Sequence, residues 1–156
     1  MAISISLKDF LDQHSIQYDL VPHKYTSNSL SAAHAAHIPG DRVAKSVLLQ
    51  DDFGYMMAVL PATHRISLSD LKMHTHRQLA LADENEISEI FSDCELGAIP
   101  PVGEAYGMET IVDDSIAEQS DIYLEAGDHE VLIHMESEQF ADLMESADHS
   151  RFSVHI

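Results

Sequence analysis

The stretch "KSVLLQDDFGYMMAVLP", residues 45–61, constrains the fold more than any other. Two apolar runs flank "DDFG", and Gly54 supplies the turn residue, so the spacing predicts a β-hairpin. Around it the pattern mixes helices and strands without a regular βαβα beat. Residues 6–16 place Leu7, Phe10, Leu11 and His14 on one helical face, and residues 17–23 read as a short strand. The Ala-rich segment 29–38 reads as a helix with Ser29 as N-cap, ended by Pro39 and Gly40. Helices are predicted over 67–74, with Ser67 and Asp70 in capping-box spacing, and over 83–91, where Asp83 is followed by Glu86. Strands are predicted over 108–114, 121–127 and 130–135, the last two joined by a "GDH" turn. A helix over 137–147, capped by Ser137, closes the pattern. The class is α+β, with helices flanking a largely antiparallel or mixed sheet.

At 156 residues the chain reads as a single domain, 1–156, large enough to hold a core without disulfides or metal. One cysteine cannot make an internal disulfide. No apolar run reaches the length of a membrane span, and the first residues lack the pattern of a signal peptide. These features fit a cytoplasmic protein with no membrane partner. The 27 acids against 8 Lys and Arg give a formal charge of −19. Such a chain has no basic stripe for a phosphate backbone, so any nucleic-acid contact must be local or helped by a partner.

"FSDCELGAIPPVG", residues 91–103, gathers the only cysteine, two of six glycines and two of five prolines. A simple turn does not need that density; a rigid loop holding backbone groups at fixed angles does. Lys45 opens the strongest strand although Lys is depleted from strands, which reads either as a solvated strand end or as an ammonium held near a phosphate or carboxylate. Cys94 stands between Asp93 and Glu95, which disfavour a thiolate. The 11 histidines, among them His34, His37, His74 and His76, show no zinc-like spacing, so no metal and no cofactor is expected. His129, in the turn between two strands, is placed to bind a ligand, act as acid or base, or bond the turn backbone, and Asp128 beside it reads as a turn residue. No GxSxG elbow, phosphate-binding loop or dinucleotide fingerprint is present.

The order and spacing of "RVAKSVLLQDDFGYMMAVLPA" (42–62), "GAIPPVG" (97–103) and "YLEAGDHEVLIHM" (123–135) resemble the YbaK/ProX family. That family contains aminoacyl-tRNA deacylases and the editing domain inserted in bacterial prolyl-tRNA synthetases. The lead-in "SAAHAAHIPGDRVAK" and "IVDDSI" (111–116) also fit, so the resemblance covers about residues 22–142. It implies a mixed, barrel-like sheet with flanking helices. The activity implied is hydrolysis of the ester between a small misattached amino acid and the tRNA 3′ end. The family's lysine falls on Lys45, followed by Ser46 where Thr is also common. Its loop falls on Gly97, Ala98, Ile99, Pro100 and Pro101, and its glycine-histidine turn on Gly127 and His129. Lys45, Gly97 and His129 are then the catalytic group. Ser46, Ala98, Ile99, Pro100, Pro101, Gly127 and Asp128 contact substrate, and water is the nucleophile. The implied partners are the acceptor end of an aminoacyl-tRNA and an aminoacyl-tRNA synthetase. The strong negative charge departs from a tRNA binder and keeps a second class open, a non-catalytic domain of this fold that binds a small ligand or a protein. Metal binding through the histidines is a third.

Overall fold

The computed structural model describes residues 3–156. In chain order the elements are α1 (Ile5–Gln13), β1 (Asp19–Pro22), α2 (Ser29–Ala35), β2 (Val43–Asp51), β3 (Gly54–Pro61), β4 (His64–Ile66), α3 (Leu68–Thr75), β5 (Ala80–Leu81) and α4 (Glu84–Ile90). They continue with β6 (Glu109–Asp113), α5 (Asp114–Ala117), β7 (Asp121–Glu125), β8 (Val131–Glu136), α6 (Ser137–Leu143), β9 (Asp148–Ser150) and β10 (Ser153–His155). The main sheet runs β1-β8-β7-β2-β3-β6-β9, with β5 added beside β2. β7 joins β2 in parallel, as β6 joins β3 and β9 joins β6; the remaining pairings in this sheet are antiparallel. The expected mixed sheet with flanking helices is therefore present, and it is open, with β1 and β9 at its ends.

Local signals set most of these elements. The hairpin β2–β3 pairs from Ala44–Pro61 to Asp51–Gly54, and Gly54 takes φ 134° at the turn. Asp83 and Glu86 form a complete capping box on α4, and Ser67 caps α3 by accepting from the Asp70 amide. Two caps differ from expectation. Asn28, not Ser29, caps α2 and accepts from the Ser31 amide; Ser29 is the first helical residue. Ser137 likewise begins α6, whose cap residue Glu136 makes no side-chain capping bond. α2 also ends earlier than Pro39, because His37 turns left-handed at φ 58°.

Strand β2 organises the interior. Ala44 and Leu48 belong to the main core with Leu7 and Leu11 of α1, Val59, Val112, Ile122 and Ile133. Leu49 packs with Leu60, Leu71 and Phe152, and Val43 packs with Ala32 and Ala33 of α2. Strand alternation puts Lys45 on the face of Val43 and Leu49, so a charge interrupts an otherwise apolar surface. One edge of β2 is bordered by β3 along nearly its whole length. The other edge is split: β7 pairs at Val43 and Ala44, and β5 pairs at Leu49 and Gln50. Between them the loop after α4 comes in, and the Ser46 hydroxyl donates to the Ile99 carbonyl at 3.2 Å. This split in the sheet opens the cleft described below.

The C-terminal strands are tied down by Asp113, which is fully buried. Its Oδ1 accepts from the Phe152 amide at 2.7 Å, and Oδ2 accepts from the Ser115 amide at 3.1 Å and from the Ser115 hydroxyl. Asp113→Ala leaves the buried Phe152 N–H unpaired, at a cost of about 1–3 kcal/mol. The expected result is a lower urea midpoint with an unchanged denaturant slope. An unchanged midpoint would contradict the anchoring role.

Candidate active site

A cleft of ≈ 540 Å³ opens at the split in the sheet, with Lys45, Ser46 and Ala62 from the hairpin region, Asn28, Ser29 and Leu30 from the start of α2, and Glu84 and Ile87 from α4 along its walls. Leu96, Gly97 and Ile99 from the loop complete its lining, with Ile156. Lys45 is half-buried, and burial lowers its pKa from the ordinary lysine value. Its Nζ reaches only the Ala62 carbonyl, at 3.4 Å, and among the described residues it forms no ion pair. In a chain with 27 acids, a partly desolvated ammonium without a carboxylate is notable. It weakens the solvated strand-end reading and leaves a site for an anion.

The loop itself is held by its carbonyls. His129 Nε2 donates to the Leu96 carbonyl, Ser46 holds that of Ile99, and the Val102 amide takes that of Pro100 at 2.8 Å. The Ala98 amide is committed to Glu95 at 3.1 Å, so it is not free to meet a ligand. The amides of Gly97 and Ile99, both cleft residues, have no acceptor among the described residues. In a trans peptide the C=O and N–H point in opposite directions. With the Leu96 oxygen drawn inward to His129, the Gly97 N–H points away from that buried ring. Gly97 holds φ 84°, and a Cβ there would lie 2.5 Å from the Ser27 carbonyl and 3.0 Å from His129 Cε1. Only glycine fits this close approach.

Of the residues the sequence singled out, Lys45, Ser46, Gly97 and Ile99 meet at the cleft. Ala98, Pro100 and Pro101 are buried behind the loop surface, where the prolines stiffen it. His129 does not line the cleft. It is 2 % exposed, sits at φ 64°, and bonds the loop backbone from behind. Tyr25 packs edge-on against its ring, at 5.4 Å between centroids. Asp128 Oδ1 accepts from the Glu130 and Val131 amides at 3.0 and 3.2 Å, the turn role expected of it. Gly127, at φ 120°, is enclosed by Ser4 and by the Cys94 sulfur, and its carbonyl takes the Glu95 amide at 2.8 Å. The turn thus shapes the loop from beneath.

Cys94 is spent on structure. Its Sγ lies 3.1 Å from the Tyr106 hydroxyl, which donates to Asp93 at 2.9 Å. Burial, with Asp93 adding to it, pushes the thiol up to about 11, far from a thiolate at neutral pH. The histidines are dispersed: His134 lies between Asp19 and Asp121, His74 meets Asp148, and His64 meets Ser153. Among the described residues no three His, Cys, Asp or Glu side chains gather as a metal site. The cleft contributions of Asn28, Leu30, Glu84 and Ile87 were not legible beforehand; the "SNSL" cap ahead of α2 was the one local hint.

The profile of the aminoacyl-tRNA editing domain family matches residues 23–143, and the chain belongs to that family. Among solved structures it is similar to a candidate trans-editing enzyme for prolyl tRNA synthetase, with 16% identity, TM-score 0.84, and 97% of this chain and 96% of that one covered. It is also similar to the hypothetical protein APE2540, at 18% identity and TM-score 0.83, covering 96% and 99%. A third similar structure is a candidate signal transduction protein from Marinobacter aquaeolei VT8, at 21% identity and TM-score 0.79. There the match covers 96% of this chain but spans only 30% of that one. No curated protein matches the chain significantly.

One buried group has a pH signature. Glu125, 1 % exposed at the end of β7, has no hydrogen-bond partner on either oxygen among the described residues. Burial first, and the Asp128 carboxylate second, push its carboxyl up to about 8. The unfolded chain releases this proton near the ordinary value of about 4.3, whereas the folded chain keeps it until near pH 8. Between these limits the folded state binds more protons, so this group makes stability fall as pH rises. Glu125→Gln should therefore melt higher than the wild type at pH 8 and close to it at pH 4.5. An equal difference at both pH values would rule out the buried neutral acid.

Proposed function

We propose that the protein is a trans-acting aminoacyl-tRNA deacylase that removes small, wrongly attached amino acids from the tRNA 3′ end. The observation that carries this reading is Lys45: a half-buried ammonium without an ionic partner among the described residues, in a cleft shared with two loop amides that find no acceptor among them. Lys45 holds a phosphate of the terminal nucleotide. The ester carbonyl lies against the Gly97–Ile99 loop. A water oxygen attacks that carbonyl, and the oxyanion that forms is met by fixed N–H donors, each worth about 10²–10³ in rate in comparable sites. The carbonyl re-forms as the ribose oxygen leaves with a proton, giving free amino acid and tRNA. The thiol of Cys94 takes no part.

Leu30, Ile87, Leu96 and Ile99 supply apolar lining for the amino-acid side chain, and discrimination by size against that lining is the logic of a second sieve. The charge of −19 restricts the grip to the acceptor end, so a synthetase that holds the rest of the tRNA fits as a partner, in the cytoplasm where charging occurs. That same charge favours the second reading, a binding domain without catalysis.

A panel of tRNAs mischarged with Ala, Ser, Thr or Cys separates the two. The wild type should deacylate at least one, alone or with a synthetase present. Lys45→Met removes the charge and keeps the volume. It should lower kcat/KM about 10–100-fold while the melting temperature stays or rises, since a desolvated charge is lost. Cys94→Ser should keep its activity. No hydrolysis of any ester by the wild type would give first place to the binding domain.

A further inference from the structure

The cleft contains one carboxylate side chain besides the Lys45 ammonium. Glu84 opens α4, and the other two acids of that turn are already committed. Asp83 accepts from the Glu86 amide at 2.8 Å. Glu86 accepts from the Asp83 amide at 3.2 Å, from Gln50 Nε2 at 3.0 Å and from the Tyr55 hydroxyl at 2.6 Å. The exposed Glu84 side chain makes no hydrogen bond and no ion pair among the described residues. Favourable interaction with the helix end needs no second carboxylate here, because Asp83 and Glu86 supply it. The other lining side chains are apolar, small or uncharged. Among the described residues the cleft thus presents one unpaired carboxylate side chain, exposed, and one unpaired ammonium, half-buried, set on different elements.

An aminoacyl ester has matching chemistry. Its nucleotide end is anionic, and its α-amine is cationic. A peptidyl or N-blocked ester keeps the first charge and lacks the second. We infer that Glu84 receives the α-ammonium of the aminoacyl group and so confines the site to esters with a free amine. The inference rests on the deacylase reading and adds a specificity residue to it. Because Glu84 meets the amine and not the reacting carbonyl, its effect falls on substrate binding.

The test compares alanyl-tRNA with N-acetylalanyl-tRNA on wild type, Glu84→Gln and Glu84→Asp. The wild type should favour the free amine by about tenfold or more, the scale of a hydrogen bond to a charged group. Glu84→Gln should raise KM for alanyl-tRNA by a similar factor, leave kcat nearly unchanged, and leave the N-acetyl ester unaffected; Glu84→Asp should recover part of the preference. An equal loss on both esters, or no loss on either, would overturn the inference. If the wild type cleaves neither ester, the deacylase reading fails separately. Binding of 3′-alanylamino-3′-deoxyadenosine and its N-acetyl form then decides: tighter binding of the free amine, lost in Glu84→Gln, supports the pairing, and equal affinities refute it.

Discussion

The hydrogen bond from His129 Nε2 to the Leu96 carbonyl orients the peptide that joins Leu96 to Gly97. Everything the loop offers to a ligand follows from that orientation, because a planar peptide cannot turn its N–H without turning its C=O. The geometry is maintained against strain. His129 is held at φ 64°, a region costly for a residue with a Cβ, and Gly97 at φ 84° leaves no space for a side chain. The Asp128 turn and the bond from the Thr26 amide to the His129 carbonyl, 3.2 Å long, keep the histidine in place. Strain of this kind persists where surrounding contacts over-determine it, and here those contacts converge on a cleft.

The cleft in turn depends on how β2 is shared. Had β7 paired with β2 along its full length, a continuous sheet would have left no room for the loop. Instead β7 pairs at two positions and β5 at two others, and Ser46 bridges the gap to Ile99. Lys45 stands at this break. Lys45 is half-buried there, and desolvating its ammonium without an ionic partner among the described residues costs stability. A position that loses stability while holding a charge at a cleft is the pattern expected of a functional group.

The hairpin, the α4 capping box and the strands β6, β7 and β8 were legible because their signals are local: a turn glycine, a cap three residues from its partner, a run of β-branched residues. β4, β9 and β10 were not, since each has three residues and exists through pairing with distant chain. The resemblance named Lys45 and the loop, and Lys45, Gly97 and Ile99 border one cleft. It did not separate residues that face the cleft from those that support it. Pro100, Pro101 and His129 are in the same constellation as Gly97, yet they act through it from behind. Glu84 and Ile87 were invisible as cleft residues because the capping box explains their segment fully as a helix start.

The most direct test of this account follows the backbone amides of the loop by ¹⁵N-resolved NMR during titration with 3′-alanylamino-3′-deoxyadenosine. The Gly97 and Ile99 amide protons should move downfield as they gain an acceptor, while Ala98, already bonded to Glu95, stays in place. Saturating binding that leaves Gly97 and Ile99 unmoved, or that moves Ala98 instead, would contradict the claim that this loop holds free donors at the cleft.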